Sequence, residues 1–174
     1  ANDGATSIHV TGDATGIDAY GIAAIAADAV TFADDGRLMS HAGGAGTDLI
    51  VTVDGKASGG ESGILAEKSG TLGVGVTSVT AKGDVTGTHN AGIEAGTNGA
   101  SLTIEAGARV SGGNYGIYAE NYGTGATSIT AKGDVASTIG FGSGVGIHAF
   151  NDDRTTDLTV EADAEVSSGF VGLS

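Results

Sequence analysis

The side chains able to do chemistry in this chain are few and scattered. The basic residues are Arg37, Lys56, Lys68, Lys82, Arg109, Lys132 and Arg154, seven in all against 21 acidic ones. A polysaccharide lyase needs a Lys or Arg base beside acidic metal ligands, and a hydrolase needs a carboxylate pair held at a cleft. Neither grouping stands out along the chain, so an enzyme is the less favoured expectation. The four histidines, His9, His41, His89 and His148, show no His-x-x-x-His or His-x-His spacing, and no metal or cofactor is expected from them. Asp34-Asp35-Gly36 and Asn151-Asp152-Asp153 offer the oxygen ligands calcium prefers. Both read more simply as solvated turns.

Aromatic side chains are rarer still, eight in 174 residues, and they cluster. Tyr115, Tyr118 and Tyr122 lie within eight positions, Phe150 follows close to His148, and Phe141 sits in the glycine-flanked segment from Thr138 to Ser143. With Glu94 they form the candidate contact surface, since exposed aromatics edged by polar groups mark sugar or protein contacts. The alternative is that the tyrosines lie flat on a glycine-rich surface and Phe141 closes a corner.

The elements that would carry these residues are repeats. Thr77 to Val85 reads TSVTAKGDV, and fifty positions later Thr127 to Val135 reads TSITAKGDV. Self-similarity of this kind means that each unit buries its apolar face against a copy of itself. The chain has 33 glycines, no proline, cysteine or tryptophan, and 40% hydrophobic residues, which excludes collagen and disorder and fits tight corners between short apolar strands. A net charge of -14 disfavours nucleic acid and anionic membranes as partners.

In register, the repeats give an apolar anchor at Ile8, Val30, Val51, Val79, Leu102, Ile129 and Leu158. A second apolar site follows at Ala14, Leu38, Ala57, Val85, Val110, Val135 and Val166. A third belongs to a Gly-Ile-x-Ala element beginning at Gly21, Gly63, Gly92, Gly116 and Gly146, absent from the second unit and cut short at Gly172-Leu173. Period-2 alternation and β-branched residues favour strands. Three inward strands per turn predict a right-handed parallel β-helix of about seven rungs, with residues 1–174 forming one segment. On the outside this register predicts a file His9, Thr31, Thr52, Thr80, Thr103, Thr130, Thr159 and a charge ladder Asp54, Lys82, Glu105, Lys132, Glu161. The outward file of the third strand becomes Ala23, Leu65, Glu94, Tyr118 and His148.

The pattern Thr-x-Ile-Thr-Ala-x-Gly-x-Val at Thr127 to Val135, together with Gly-Ile-x-Ala-x-Asn at Gly116 to Asn121, resembles the passenger repeats of bacterial autotransporter adhesins of the pertactin-like group. The resemblance implies a β-helix exported through the periplasm and displayed at the cell surface by a separate C-terminal β-barrel. It also implies adhesion to a host or bacterial surface protein or glycan, or cell-to-cell self-association. No signal peptide, barrel, protease segment or Arg-Gly-Asp tripeptide is recognisable, so the chain reads as part of a longer extracellular protein. A passive stalk and a polysaccharide-processing enzyme remain as alternatives.

Overall fold

The computed structural model describes residues 5–26, 29–32, 38–42, 48–70, 74–139, 144–152, 157–168 and 171–173. Three six-stranded parallel sheets stack the turns of a parallel β-helix. The first sheet holds β1 (Thr6–Val10), β6 (Leu49–Val53), β9 (Thr77–Ala81), β12 (Leu102–Ala106), β15 (Thr127–Ala131) and β18 (Leu158–Ala162). The second holds the short strands β2 (Ala14–Thr15), β7 (Ala57–Gly59), β10 (Val85–Gly87), β13 (Val110–Gly112), β16 (Val135–Ser137) and β19 (Val166–Ser167). The third holds β3 (Ile22–Ala26), β8 (Ile64–Lys68), β11 (Ala91–Thr97), β14 (Tyr115–Asn121), β17 (Val145–Asn151) and β20 (Val171–Leu173). Among the described residues there is no helix.

Among the described residues the rungs therefore number six, not seven. The segment expected as a second rung forms β4 (Ala29–Phe32) and β5 (Leu38–Ala42), an antiparallel pair outside the three sheets. Val30 is opposite His41 and Leu38 opposite Phe32, instead of stacking on Val51 and Ala57 respectively. The physical reason is the missing Gly-Ile-x-Ala element: with no third strand the segment cannot close a turn, and two short apolar runs around Asp34-Asp35-Gly36 pair with each other.

Inside the coil, side chains stack in files. The third sheet carries an isoleucine file, Ile22, Ile64, Ile93, Ile117 and Ile147, and the backbone of Leu173 pairs with that of Ile147, as the repeats predict. The second carries Ala14, Ala57, Val85, Val110, Val135 and Val166. In the first sheet the partners are Ile8, Val51, Val79, Ile104, Ile129 and Val160, so Leu102 and Leu158 are not the equivalents of Val79 and Ile129. They align two residues earlier, in a file that reads Thr6, Leu49, Thr77, Leu102, Thr127, Leu158. A small residue alternates with a large one, and this is the content of the fifty-residue period. Most of these side chains are wholly buried, and each buried Val, Leu or Ile of the continuous core contributes about 2 kcal/mol.

The same two-residue correction rearranges the outside. Glu105 and Glu161 flank Thr130, while Thr103 and Thr159 join Ser7, Ile50, Ser78 and Ser128. Neither an unbroken threonine file nor the expected Lys-Glu ladder exists: between Lys82 and Lys132 comes Gly107, whose amide bonds to Ala81 just as that of Lys132 bonds to Ala106. Alternating charge appears instead two positions further on, where Asp13, Lys56, Asp84, Arg109 and Asp134 each precede the first residue of a second-sheet strand. Lys56 Nζ stands 3.7 Å from Asp84 Oδ2, and Asp13 Oδ1 accepts the Lys56 amide at 2.8 Å. Asp54, on the preceding file, takes Lys82 at 2.7 Å and His9 at 2.9 Å, and these hydrogen bonds hold its carboxyl below the ordinary value.

The glycine of Gly-Ile-x-Ala has a packing reason. A Cβ on Gly63, Gly92 or Gly116 would stand 2.6, 2.5 or 2.5 Å from Cγ1 of Val85, Val110 or Val135 respectively. The second-sheet valine of the next rung occupies that space.

The corners differ in tolerance. First and second sheets are joined by three residues in every rung, as in Asp54-Gly55-Lys56, Lys82-Gly83-Asp84 and Gly107-Ala108-Arg109. The connection from third sheet to first varies from 98–101 to 27–48, the latter containing the hairpin. Polar side chains ending the inward file of the third sheet hold this corner's backbone. Lys68 Nζ donates to Val74 O at 2.6 Å, Thr97 Oγ1 accepts Gly99 N at 2.8 Å, and Asn121 bonds both Gly123 N and Gly125 O. Asn151, stacked on Asn121, donates to Asp157 O at 2.8 Å.

Candidate functional site

The outer face of the third sheet gathers most of the residues expected there. Its first outward file is Ala23, Leu65, Glu94, Tyr118, His148, as predicted, although Leu65 is buried. On adjacent rungs the rings of Tyr118 and His148 stack at 4.9 Å with an interplanar angle of 12°. Tyr115 lies against both, 4.7 Å from Tyr118 and 5.9 Å from His148. Tyr122, just past β14, and Phe150, near the end of β17, make a second ring pair at 5.6 Å, each about two-fifths exposed (42% and 41%). Phe141 lies outside the described residues. Six of the seven candidates thus share one face.

The sequence reading missed two further members. The second outward file runs Ile25, Glu67, Gly96, Glu120, Phe150. Because Gly96 has no side chain, the Glu67 carboxyl folds over it: a Cβ at Gly96 would stand 2.5 Å from Glu67 Oε2 and 2.7 Å from Oε1. Glu94 sits on the same strand as Gly96, and Glu120 on the strand beyond, so three carboxyls surround one glycine. The signal was present in the repeats, since Glu67 and Glu120 stand at the same offset after Gly63-Ile64 and Gly116-Ile117.

Burial and crowding set the protonation of this group. Glu67 is pushed up to about 8, first by burial and then by the like charges of Glu94 and Glu120. Burial also raises Glu94, opposed by hydrogen bonds from Ser62 Oγ at 2.7 Å and Asn90 Nδ2 at 2.9 Å, both to Oε2. The Tyr118 hydroxyl donates to Glu120 Oε1, and burial together with that carboxylate pushes the phenol well above its ordinary value. Tyr122 is raised for the same two reasons.

Asn90, Glu94, Tyr115 and Tyr118 line an open pocket of about 220 Å³. A second, of about 300 Å³, lies on the first sheet between Lys82, Glu105 and Lys132, over Gly107. Among the described residues no group of His, Asp and Glu has the arrangement of a metal site. His9 bonds Asp54 and His89 bonds the Gly60 carbonyl, far from one another in the fold. Chemically, the third-sheet face offers flat rings for stacking, carboxylates for cations or hydroxyl donors, and one carboxyl held protonated near neutral pH.

No protein-family model matches this chain, and searches of curated proteins and of solved structures return no match.

Proposed function

We propose that this chain is part of an extracellular bacterial adhesin, a stiff acidic rod whose third-sheet face makes the contact. The observation that carries the reading is the packing of Tyr115, Tyr118 and His148 into one ring cluster, with Tyr122 and Phe150 beside it, on the outside of a sheet already filled on the inside. Rings on a continuous sheet are held rigidly and present area at little entropic cost. The repeat resemblance to autotransporter passengers supports surface display, and partners would be a protein or glycan of a host or bacterial cell, or the rod itself.

Displayed on cells as the full protein, the chain is expected to promote clumping or surface attachment, and Tyr118→Ala with Phe150→Ala is expected to weaken it while circular dichroism stays unchanged. Unaltered clumping in that variant removes the face from consideration and leaves a passive stalk.

A second reading has one specific observation in its favour. Glu67, pushed up to about 8 by burial beside the carboxyls of Glu94 and Glu120, has the raised carboxyl that a glycoside hydrolase acid requires. Release of reducing ends from a polysaccharide panel, lost in Glu67→Gln, would favour this over adhesion.

A further inference from the structure

We propose that the pocket between Asn90, Glu94, Tyr115 and Tyr118 receives the ammonium group of a lysine side chain from a partner protein. This rests on the contact-surface reading and names what that surface takes. The rings come first. Tyr115 and Tyr118 meet at 55° with centroids 4.7 Å apart, so the pocket has two non-parallel aromatic walls, the arrangement that lets a cation contact ring faces rather than edges.

The polar end of the pocket points the same way. Ser62 and Asn90 both donate to Glu94 Oε2, which fixes the carboxylate and leaves Oε1 without a donor among the described residues. A primary ammonium supplies three donors and a full charge to that oxygen.

Charge discriminates between ligand classes. Glu67 and Glu120 stand on the strands either side of Glu94, and Glu94 is destabilised as an anion by burial and by Glu61 and Glu120. A neutral sugar hydroxyl leaves that repulsion in place. A cation removes it, and on a protein of net charge -14 it is also drawn in at long range. The volume agrees: about 220 Å³ is roughly seven water volumes, enough for the last methylenes and ammonium of a lysine.

The test uses the whole chain with ring-labelled tyrosine, titrated by NMR with Nα-acetyl-lysine methylamide, its uncharged isostere Nα-acetyl-norleucine methylamide, and N-acetylglucosamine. The lysine derivative is expected to shift the Tyr115 and Tyr118 ring signals saturably, and the other two to leave them in place. Glu94→Gln, which keeps shape and loses charge, is expected to weaken binding about tenfold or more. Tyr115→Leu, which keeps bulk and loses the ring face, is expected to weaken it as well. Equal binding of norleucine or sugar, unchanged affinity in both folded variants, or no saturation with lysine overturns the proposal. Lysine binding without any loss of clumping in the Tyr118→Ala variant overturns the adhesion reading alone, whereas loss of clumping without lysine binding overturns the ammonium site alone.

Discussion

Replacing Glu67 by glutamine is expected to stabilise the protein above neutral pH and to change little near pH ~4. In the fold this carboxyl titrates at about 8, against 4.5 when free. Below the free value both states are protonated, and the folded state loses nothing. As pH rises from there the unfolded chain ionises while folded Glu67 stays neutral, so wild-type stability falls until the folded value is passed, then levels off. The gap, at about 1.4 kcal/mol per pH unit, sets a ceiling of about 5 kcal/mol. Glu67 keeps some contact with solvent, so the expected difference lies below that ceiling, at a few kcal/mol. Glutamine keeps the shape over Gly96 and cannot ionise. Urea midpoints of wild type and variant at pH values of about 4, 6 and 9 give the difference directly, and subtracting the two curves removes the general repulsion of an acidic rod. A difference that is flat across the series, or that favours wild type at high pH, refutes the placement of Glu67 among like charges.

Thr77→Val should raise stability by about 1 kcal/mol in urea denaturation, because the Thr77 hydroxyl is buried without a hydrogen-bond partner and valine has the same shape. Loss of stability would mean that the hydroxyl is satisfied by buried water. Gly92→Ala should cost about 2 kcal/mol or more, as the new methyl meets Val110 Cγ1 at 2.5 Å and Gly116 O at 2.8 Å. Gly12→Ala is the control: nothing lies within 4 Å of its Cβ position, and a midpoint change there comparable to Gly92→Ala would discredit the packing reason.

The coil itself was legible because its strongest signals repeat with little ambiguity. Gly-Ile-x-Ala put the third-sheet file in register from Ile22 to Leu173, and single apolar residues after each corner did the same for the second sheet, apart from Leu38. The first sheet was harder for a physical reason. Its strands have three inward positions, and Leu102 is as large and apolar as Ile104 while Leu158 exceeds Val160, so size does not single out the right anchor. A slip of two residues preserves which side chains face inward, and the error hides from any inside-outside test. Only vertical neighbours expose it, as when Gly107 replaces Glu105 between two lysines. The hairpin escaped because alternation alone fits either strand geometry. Glu67 and Glu120 escaped because their meeting depends on the empty surface of Gly96, and a residue that contributes by lacking a side chain leaves no mark in a list of reactive groups.

The unequal corners divide the molecule's freedom to vary. Three residues at every first-to-second corner leave no slack, and a deletion or addition there would shift the register of all that follows. The third-to-first corner already carries a 22-residue excursion, 27–48, after which β6 resumes its place on β1. New segments of foreign sequence grafted at that corner, for instance between Thr97 and Leu102, would emerge beside the strands that bear the ring cluster. The rod is thus a display scaffold with one edge open to elaboration, where loops of differing length can be set one above another at the pitch of a single strand.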